Sequence, residues 1–375
     1  MSAASKAIKP ITLSTDRLVF TGGQEYFKAL RERVDEHFGG RKRWGDPRLH
    51  RKAALIAFWF VASYILLLTV RSSVLQLFLC VSYALAACAL GFNVFHDANH
   101  GSFSSSRHIN LLLARLTCIA LGPSRYLWCQ KHHVLHHAFT NVFQWDDDIE
   151  TRGHLRMSCR QPWEPKFRNQ HRFFVFLYAL STVEWFFVKD FVQYSRLFMT
   201  YRSIPPMSFT EKIEFWASKA LHVALFLVLP FAFLPAWRVV MGLLLFHIIL
   251  GLAVTFVFQI AHGTEKVEFP APTGGRPAII EDEWAAHEMR TTVNFAIRNR
   301  VLTWFVGGLN FQIEHHLFPH ISHTHYPDIS DIVRRTAGEY GLPYNLHETY
   351  IDAVKSHFRF LQSLGNERNL AGASD

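Results

Sequence analysis

Cysteine is scarce in this chain. The five residues present (Cys80, Cys88, Cys118, Cys129 and Cys159) are odd in number and show no CxxC spacing, and three lie in apolar runs. That excludes a disulfide framework and implies reduced thiols used mostly for packing. Internal repeats and low-complexity tracts are missing too. Residues 1–52 are polar, and the first apolar run starts too far in and runs too long for a cleaved signal segment, so none is expected.

What the chain has is apolar length. Its 375 residues would fit one large domain or two modest ones, and half of them are hydrophobic. The hydrophobic residues are gathered into long stretches that alternate with polar ones. The 34 Phe and 10 Trp suit membrane interfaces and apolar ligand channels. A net charge of +9 is better explained by basic cytoplasmic loops of a membrane protein than by nucleic acid, and no nucleic-acid partner is expected.

Four apolar runs approach the length of a bilayer span: residues 53–70, 74–95, 220–236 and 239–260. Short links at residues 71–73 and around Trp237–Arg238 join them into two antiparallel hairpins. The third is the weakest, because Lys219 crowds its start and Pro230 interrupts it. Residues 1–52 carry a dozen basic side chains, from Lys6 and Lys9 to Arg51 and Lys52, whereas each hairpin link holds a single Arg. The positive-inside rule then places both termini and the central segment 96–219 in the cytoplasm. Arg172–Val188 is apolar but contains Glu184, and is expected to lie against the membrane as an interfacial or capped helix. From Gly263 the chain is polar: a Pro/Gly-rich loop, a helical pattern around Glu281–Arg300, and a helical cap that completes 263–375. The expected fold class is all-α integral membrane, with four transmembrane helices under a cytoplasmic cap.

The 22 histidines cluster. His96 and His100 stand at i and i+4, on one helical face. His132, His133, His136 and His137 allow two registers: His132 with the following pair, or His133 with it. Gln312-Ile313-Glu314-His315-His316 repeats the paired pattern, and His262 follows the fourth run much as His96 follows the second. Two solvated histidines explain an isolated HxxxH, but not these clusters together. His96, His100, His132 (or His133), His136, His137, His262, His315 and His316 supply about eight nitrogen donors, enough for two metal ions with open positions. Such ligation permits iron, copper or zinc. The carboxylates Asp97, Asp146, Asp147, Asp148, Glu265 and Glu314 are cast as partners that orient imidazoles. His222 and His247, inside apolar runs, are expected to pack or hydrogen-bond; for His320, His323 and His325 an ordinary loop role is the better expectation. All the clusters fall on one side of the topology derived from charge alone.

These residues resemble the three histidine boxes of the membrane fatty-acid desaturase superfamily. HDANHGSF (His96–Phe103) is similar to the first box and KHHVLHHAFTN (Lys131–Asn141) to the second. On that match His132 is the ligand, and His133 stands where Asn is usual. GGLNFQIEHHLFP (Gly307–Pro319) resembles the third box of front-end desaturases, in which Gln, here Gln312, replaces the first His. FQIAHGTE (Phe258–Glu265) resembles the segment that supplies a further ligand. The resemblance implies one functional domain over about residues 53–365, two non-haem irons, O₂ as co-substrate, and an acyl tunnel beneath the metals. It also implies an acyl substrate carried on CoA, acyl carrier protein or lipid. No HPGG haem motif of a fused cytochrome b5 occurs, so a separate electron donor, ferredoxin or cytochrome b5, is implied. Di-iron hydroxylases, acetylenases and ketolases share the boxes. A His-rich zinc transporter is the non-enzyme alternative, disfavoured because transporters place such ligands within the spans.

Overall fold

The structure, a computed structural model, describes residues 17–199, 201–275 and 277–366; Lys6 and Lys9 lie outside them. Helix α1 (Glu25–Phe38) buries Tyr26, Leu30, Val34 and Phe38, a single face at i, i+4 spacing. Helix α2 (Pro47–Thr69) begins where the Asp46 side chain accepts the Arg48 N–H, with Pro47 in the first turn where its missing N–H costs nothing. A three-residue link leads to α3 (Ser73–Leu90), capped by the Ser72 hydroxyl. Its Ala84, Ala86, Ala87 and Ala89 are buried, small enough for neighbouring backbones to approach.

Helix α3 does not stop at Leu90. It passes through a π-helical turn, Gly91–Phe95, into α4 (His96–His100). After α5 (Arg107–Leu121), α6 (Arg125–Cys129) runs into a second π-helical turn, Gln130–His136. Helix α7 (Gln170–Glu184) continues through Trp185–Lys189 into α8 (Asp190–Arg196). Helix α9 (Phe209–His222) opens on a Ser208/Glu211 capping box and extends through Val223–Val228 to α10 (Pro230–Phe233). Next comes α11 (Ala236–His262), and then the smaller helices α12 (Trp284–Thr291), α13 (Arg300–Phe305), α14 (Gln312–Leu317), α15 (Tyr326–Glu339) and α16 (Tyr350–Leu364).

Among the described residues, four helical stretches are long and apolar enough to cross a membrane: Pro47–Thr69, Ser73–His100, Phe209–Phe233 and Ala236–His262. Their outer faces carry exposed apolar side chains such as Phe58, Phe78, Phe233 and Trp237, as contact with lipid requires. The third stretch starts earlier than the hydropathy implies. The capping box begins it, and Lys219 is buried, donating to Asp190 Oδ2 (2.7 Å) and to the carbonyls of Gly122 (2.7 Å) and Phe186 (2.9 Å). A charge that looks disruptive in the sequence is neutralised inside the bundle. Pro230 sits where the π-helical turn Val223–Val228 passes into α10, and a proline and a π-bulge are both usual causes of a kink inside a helix.

The stretch around Arg172–Val188 is helical and packs along α11; there Gly251 lies so close that a Cβ would meet the Tyr178 carbonyl oxygen at 2.6 Å. The expected helix over Glu281–Arg300 is shorter. Only Trp284–Thr291 is helical, and Asn294–Phe295 pairs in parallel with Leu346–His347. The cause is tertiary. The Asn294 side chain accepts the Ile313 N–H (2.9 Å) and donates to Glu314 (2.8 Å), which holds this segment extended.

Candidate metal centre

Four segments bring histidines to one place: α4, the π-helical turn after α6, the end of α11, and α14. His96, His100, His132 and His315 each offer a nitrogen within 4.8 Å of the others, and all are buried. His136, His262 and His316 form a second such group. His137 lies between the two: its Nε2 is 3.2 Å from His132 Nε2, and its ring stacks on His316 at 4.3 Å between centroids. His132 also belongs to a third possible group, with His136 and Asp148. His133 joins none of these. Its ring rests on His100 (4.3 Å) and against Trp128.

The Nδ1 atoms of His136, His262, His315 and His316 are held from behind. Both oxygens of Asp146 lie 3.1 Å from His136 Nδ1, and Asp146 also accepts the N–H groups of Asn141 and Asp148. Glu288 lies 2.8 Å from His316 Nδ1, and the Tyr326 hydroxyl lies 3.1 Å from His315 Nδ1. The His262 Nδ1 faces the Thr291 carbonyl at 3.4 Å. Meanwhile the Nε2 atoms of His100, His262, His315 and His316 are buried with no hydrogen-bond partner. Buried imidazole nitrogens are rarely left unpaired, and here they point together. Anchored Nδ1 and free Nε2 is the arrangement of metal-binding histidines. The donor set therefore fits metal ions.

Electrostatics agrees. Burial, with the neighbouring imidazoles adding to it, holds His132, His137, His315 and His316 well below the ordinary histidine range. Neutral imidazole is the form that ligates. His136 departs: burial opposes its protonation, but Asp146 and Asp148 outweigh it and raise the group to about 9.

The other expected carboxylates divide. Asp97 contacts His323 Nδ1 at 2.8 Å, and His323 Nε2 lies 3.0 Å from Lys52 Nζ. Asp148 pairs with Lys131 and lies 3.4 Å from His136 Nδ1. Asp147 pairs with Lys189. Glu314 faces Asn294 and the Tyr344 hydroxyl (2.9 Å); burial pushes it up to about 7 against those hydrogen bonds. It braces the third cluster without touching an imidazole nitrogen. Glu265 is a correction: it lies at the surface, bound to Arg359 and Ser356, because an exposed guanidinium is its nearest strong donor. Gln312 is buried and donates to the Leu309 carbonyl, outside the nitrogen groups. His222 and His247 do hydrogen-bond in place, to the Ile119 carbonyl and the Thr182 hydroxyl. Sequence reasoning missed Glu288, Tyr326 and Thr140, whose hydroxyl donates to Glu288 (2.9 Å), and gave His323 an ordinary loop role where the structure sets it against Asp97.

Two apolar cavities lie in the helical bundle, and only the smaller one touches a clustered histidine. One, of about 50 Å³, is walled by Phe92, Phe95, Trp128, Phe186 and Phe258 and reaches His96. The other, of about 400 Å³, lies among α2, α3, α9 and α11 and is lined by Tyr83, Phe187 and Phe246. Phe186 lines the smaller and its chain neighbour Phe187 the larger.

Apolar helices beneath two converging sets of buried imidazoles define an all-α membrane protein able to hold metal. The chain belongs to the fatty acid desaturase family, whose model matches residues 72–347. It is 34% identical to the sn-1 linoleoyl-lipid 6-desaturase of Synechocystis sp., over 94% of this chain and 99% of that protein. It is 32% identical to a protein of the same name from Arthrospira platensis, over 94% and 96%. An acyl-lipid (8-3)-desaturase of Physcomitrium patens is 32% identical over 91% of this chain and 72% of its own length. The chain is a desaturase, an oxidoreductase acting on a fatty acyl chain.

Proposed function

We propose that this desaturase binds two irons, one at His96, His100, His132 and His315 and one at His136, His262 and His316, with His137 between them. The single observation that carries this reading is the pair of neighbouring groups of buried imidazoles with free Nε2 atoms. Bound iron with O₂ would supply the oxidant that an unactivated methylene C–H requires. The chain's own residues do the rest. Asp146, Glu288 and Tyr326 fix the tautomer and direction of His136, His316 and His315. Phe92, Phe95, Trp128 and Phe258 hold the methylenes beside His96 and keep water out.

The acyl chain is lipid-linked and the new double bond lies on the carboxyl side of an existing one, a reading supported by similarity to the linoleoyl-lipid 6-desaturases. Electrons come from a separate ferredoxin or cytochrome b5. The four apolar helices span the bilayer, and both termini and the metal centre lie on the cytoplasmic side, which the basic N-terminal segment supports.

Lipid profiling by mass spectrometry of a host fed linoleate, with and without the protein, tests this. A third double bond toward the carboxyl end, on complex lipids, is expected. A hydroxylated product, or unchanged lipids beside iron-loaded protein, overturns it.

A further inference from the structure

The first histidine group has a second opening, of different character. A cavity of about 510 Å³ with charged and polar side chains among apolar ones in its wall lies between α4 and α5, and His100 forms part of that wall. Arg107, Arg125 and His320 line it too, with Ser104 and Ser105, and no Asp or Glu does. Arg107, exposed at the start of α5, makes no ion pair among the described residues. Arg125 shares one carboxylate, Glu214, with Arg115, so that trio keeps a positive charge. Beyond the cavity, Ile109, Leu112 and Leu116 of α5 are exposed, an apolar edge suited to the border of a bilayer.

The two openings are related through one turn of helix. His96 touches the apolar cavity and His100 the one with charged side chains in its wall, and residues four apart on a helix are separated by about 6 Å along its axis. A molecule with an anionic head and an apolar tail fits this polarity, with only a few methylenes between head and metal. Two guanidiniums with hydroxyl and amide groups, and no carboxylate in the cavity wall, select phosphate.

We propose that this cavity seats the phosphate-bearing head of the acyl carrier while the chain passes the first histidine group into the apolar cavity. The assignment rests on the lipid-linked reading for its source of phosphate, a phosphoglycerolipid, whereas linoleoyl-CoA would present the same chemistry.

The test measures binding by native mass spectrometry, using the iron-loaded full chain in mild detergent. The probes are dilinoleoyl phosphatidylglycerol, linoleoyl-CoA and the uncharged monogalactosyl dilinoleoylglycerol. Phosphatidylglycerol should bind best, Arg107→Gln should weaken it roughly tenfold, the scale of one charge-assisted hydrogen bond, and Arg107→Lys should restore most of that. The galactolipid should be indifferent to either change at Arg107. If Arg107→Gln disturbs iron content, Ser105→Glu places a repelling carboxylate in the same cavity and should show the same discrimination. Tightest binding of linoleoyl-CoA, with equal sensitivity to Arg107→Gln, keeps the cavity assignment and overturns the lipid-linked reading. Galactolipid binding as tight as phosphatidylglycerol, or phosphatidylglycerol binding unmoved by Arg107→Gln and Ser105→Glu, overturns the assignment itself.

Discussion

Glu288 lies 2.8 Å from Nδ1 of His316 and also accepts the hydroxyl of Thr140. One carboxylate from α12 thus ties the third histidine cluster to the second. Replacing Glu288 with Ala should lower iron retention or product formation by about 10- to 100-fold, the usual cost of losing the group behind a ligating imidazole. Glu288→Gln, which keeps a hydrogen-bonding oxygen, should recover part of it. Iron per chain and lipid profiles of the two variants check this; equal behaviour of Gln and Ala would remove the orienting role.

The second cluster tests the ligand register. His132 lies in the first nitrogen group, whereas His133 belongs to none and occupies the position where the second box usually has Asn. His132→Ala should be inactive, and His133→Asn should keep desaturating at matched protein abundance. The reverse pattern would move the ligand to His133.

Metal content follows from the donor count. Protein purified in mild detergent should hold about two irons per chain, and removing them with a chelator should abolish turnover until iron is restored. An active, zinc-only preparation would contradict the proposed centre.

Topology is tested by labelling. With two hairpins, tags at either terminus should be protected from a membrane-impermeant reagent in intact cells. Labelling at the C-terminus alone would mean an odd number of crossings.

A packing contact deserves its own variant. Gly307, at the start of the third box, has φ +62°, and a Cβ there would lie 2.4 Å from the Phe92 carbonyl oxygen and 3.1 Å from Asn93 Oδ1. Gly307→Ala meets both the left-handed penalty and an overpacked backbone contact, and should cost about 2 kcal/mol or more. Thermal unfolding in detergent should show it as a clear drop, with a parallel loss of iron.

The apolar helices were legible because hydropathy over a span is a sum, insensitive to any single residue. The histidine clusters were legible because their spacing is local. His136 and His262 come together only through the fold, yet each already stood beside a recognisable segment. Glu288, Tyr326 and His323 carry no local pattern: His323 reaches Asp97 across 226 positions, and nothing near either residue marks the pairing. Lys219 misled for the same reason, since its partner Asp190 lies on another helix. Asn294 broke the expected helix because its side chain bonds α14, a contact that helical periodicity cannot register.

The π-helical turns at Gly91–Phe95 and Gln130–His136 sit just before or within the first two histidine clusters. Such a turn holds one more residue than the α-helical turn it replaces. The aim of every histidine beyond it therefore depends on counting, not only on residue identity. Wound as an ordinary α-helix with all its residues kept, Gly91–Phe95 would swing His96 and His100 by about 100° about its axis. Both histidines would still be present, still four apart, and turned away from the metals. In this chain the π-helical turn sets the phase of the first histidine group, and a one-residue deletion in the regular helix ahead of it should be tolerated far less than most substitutions at the same positions.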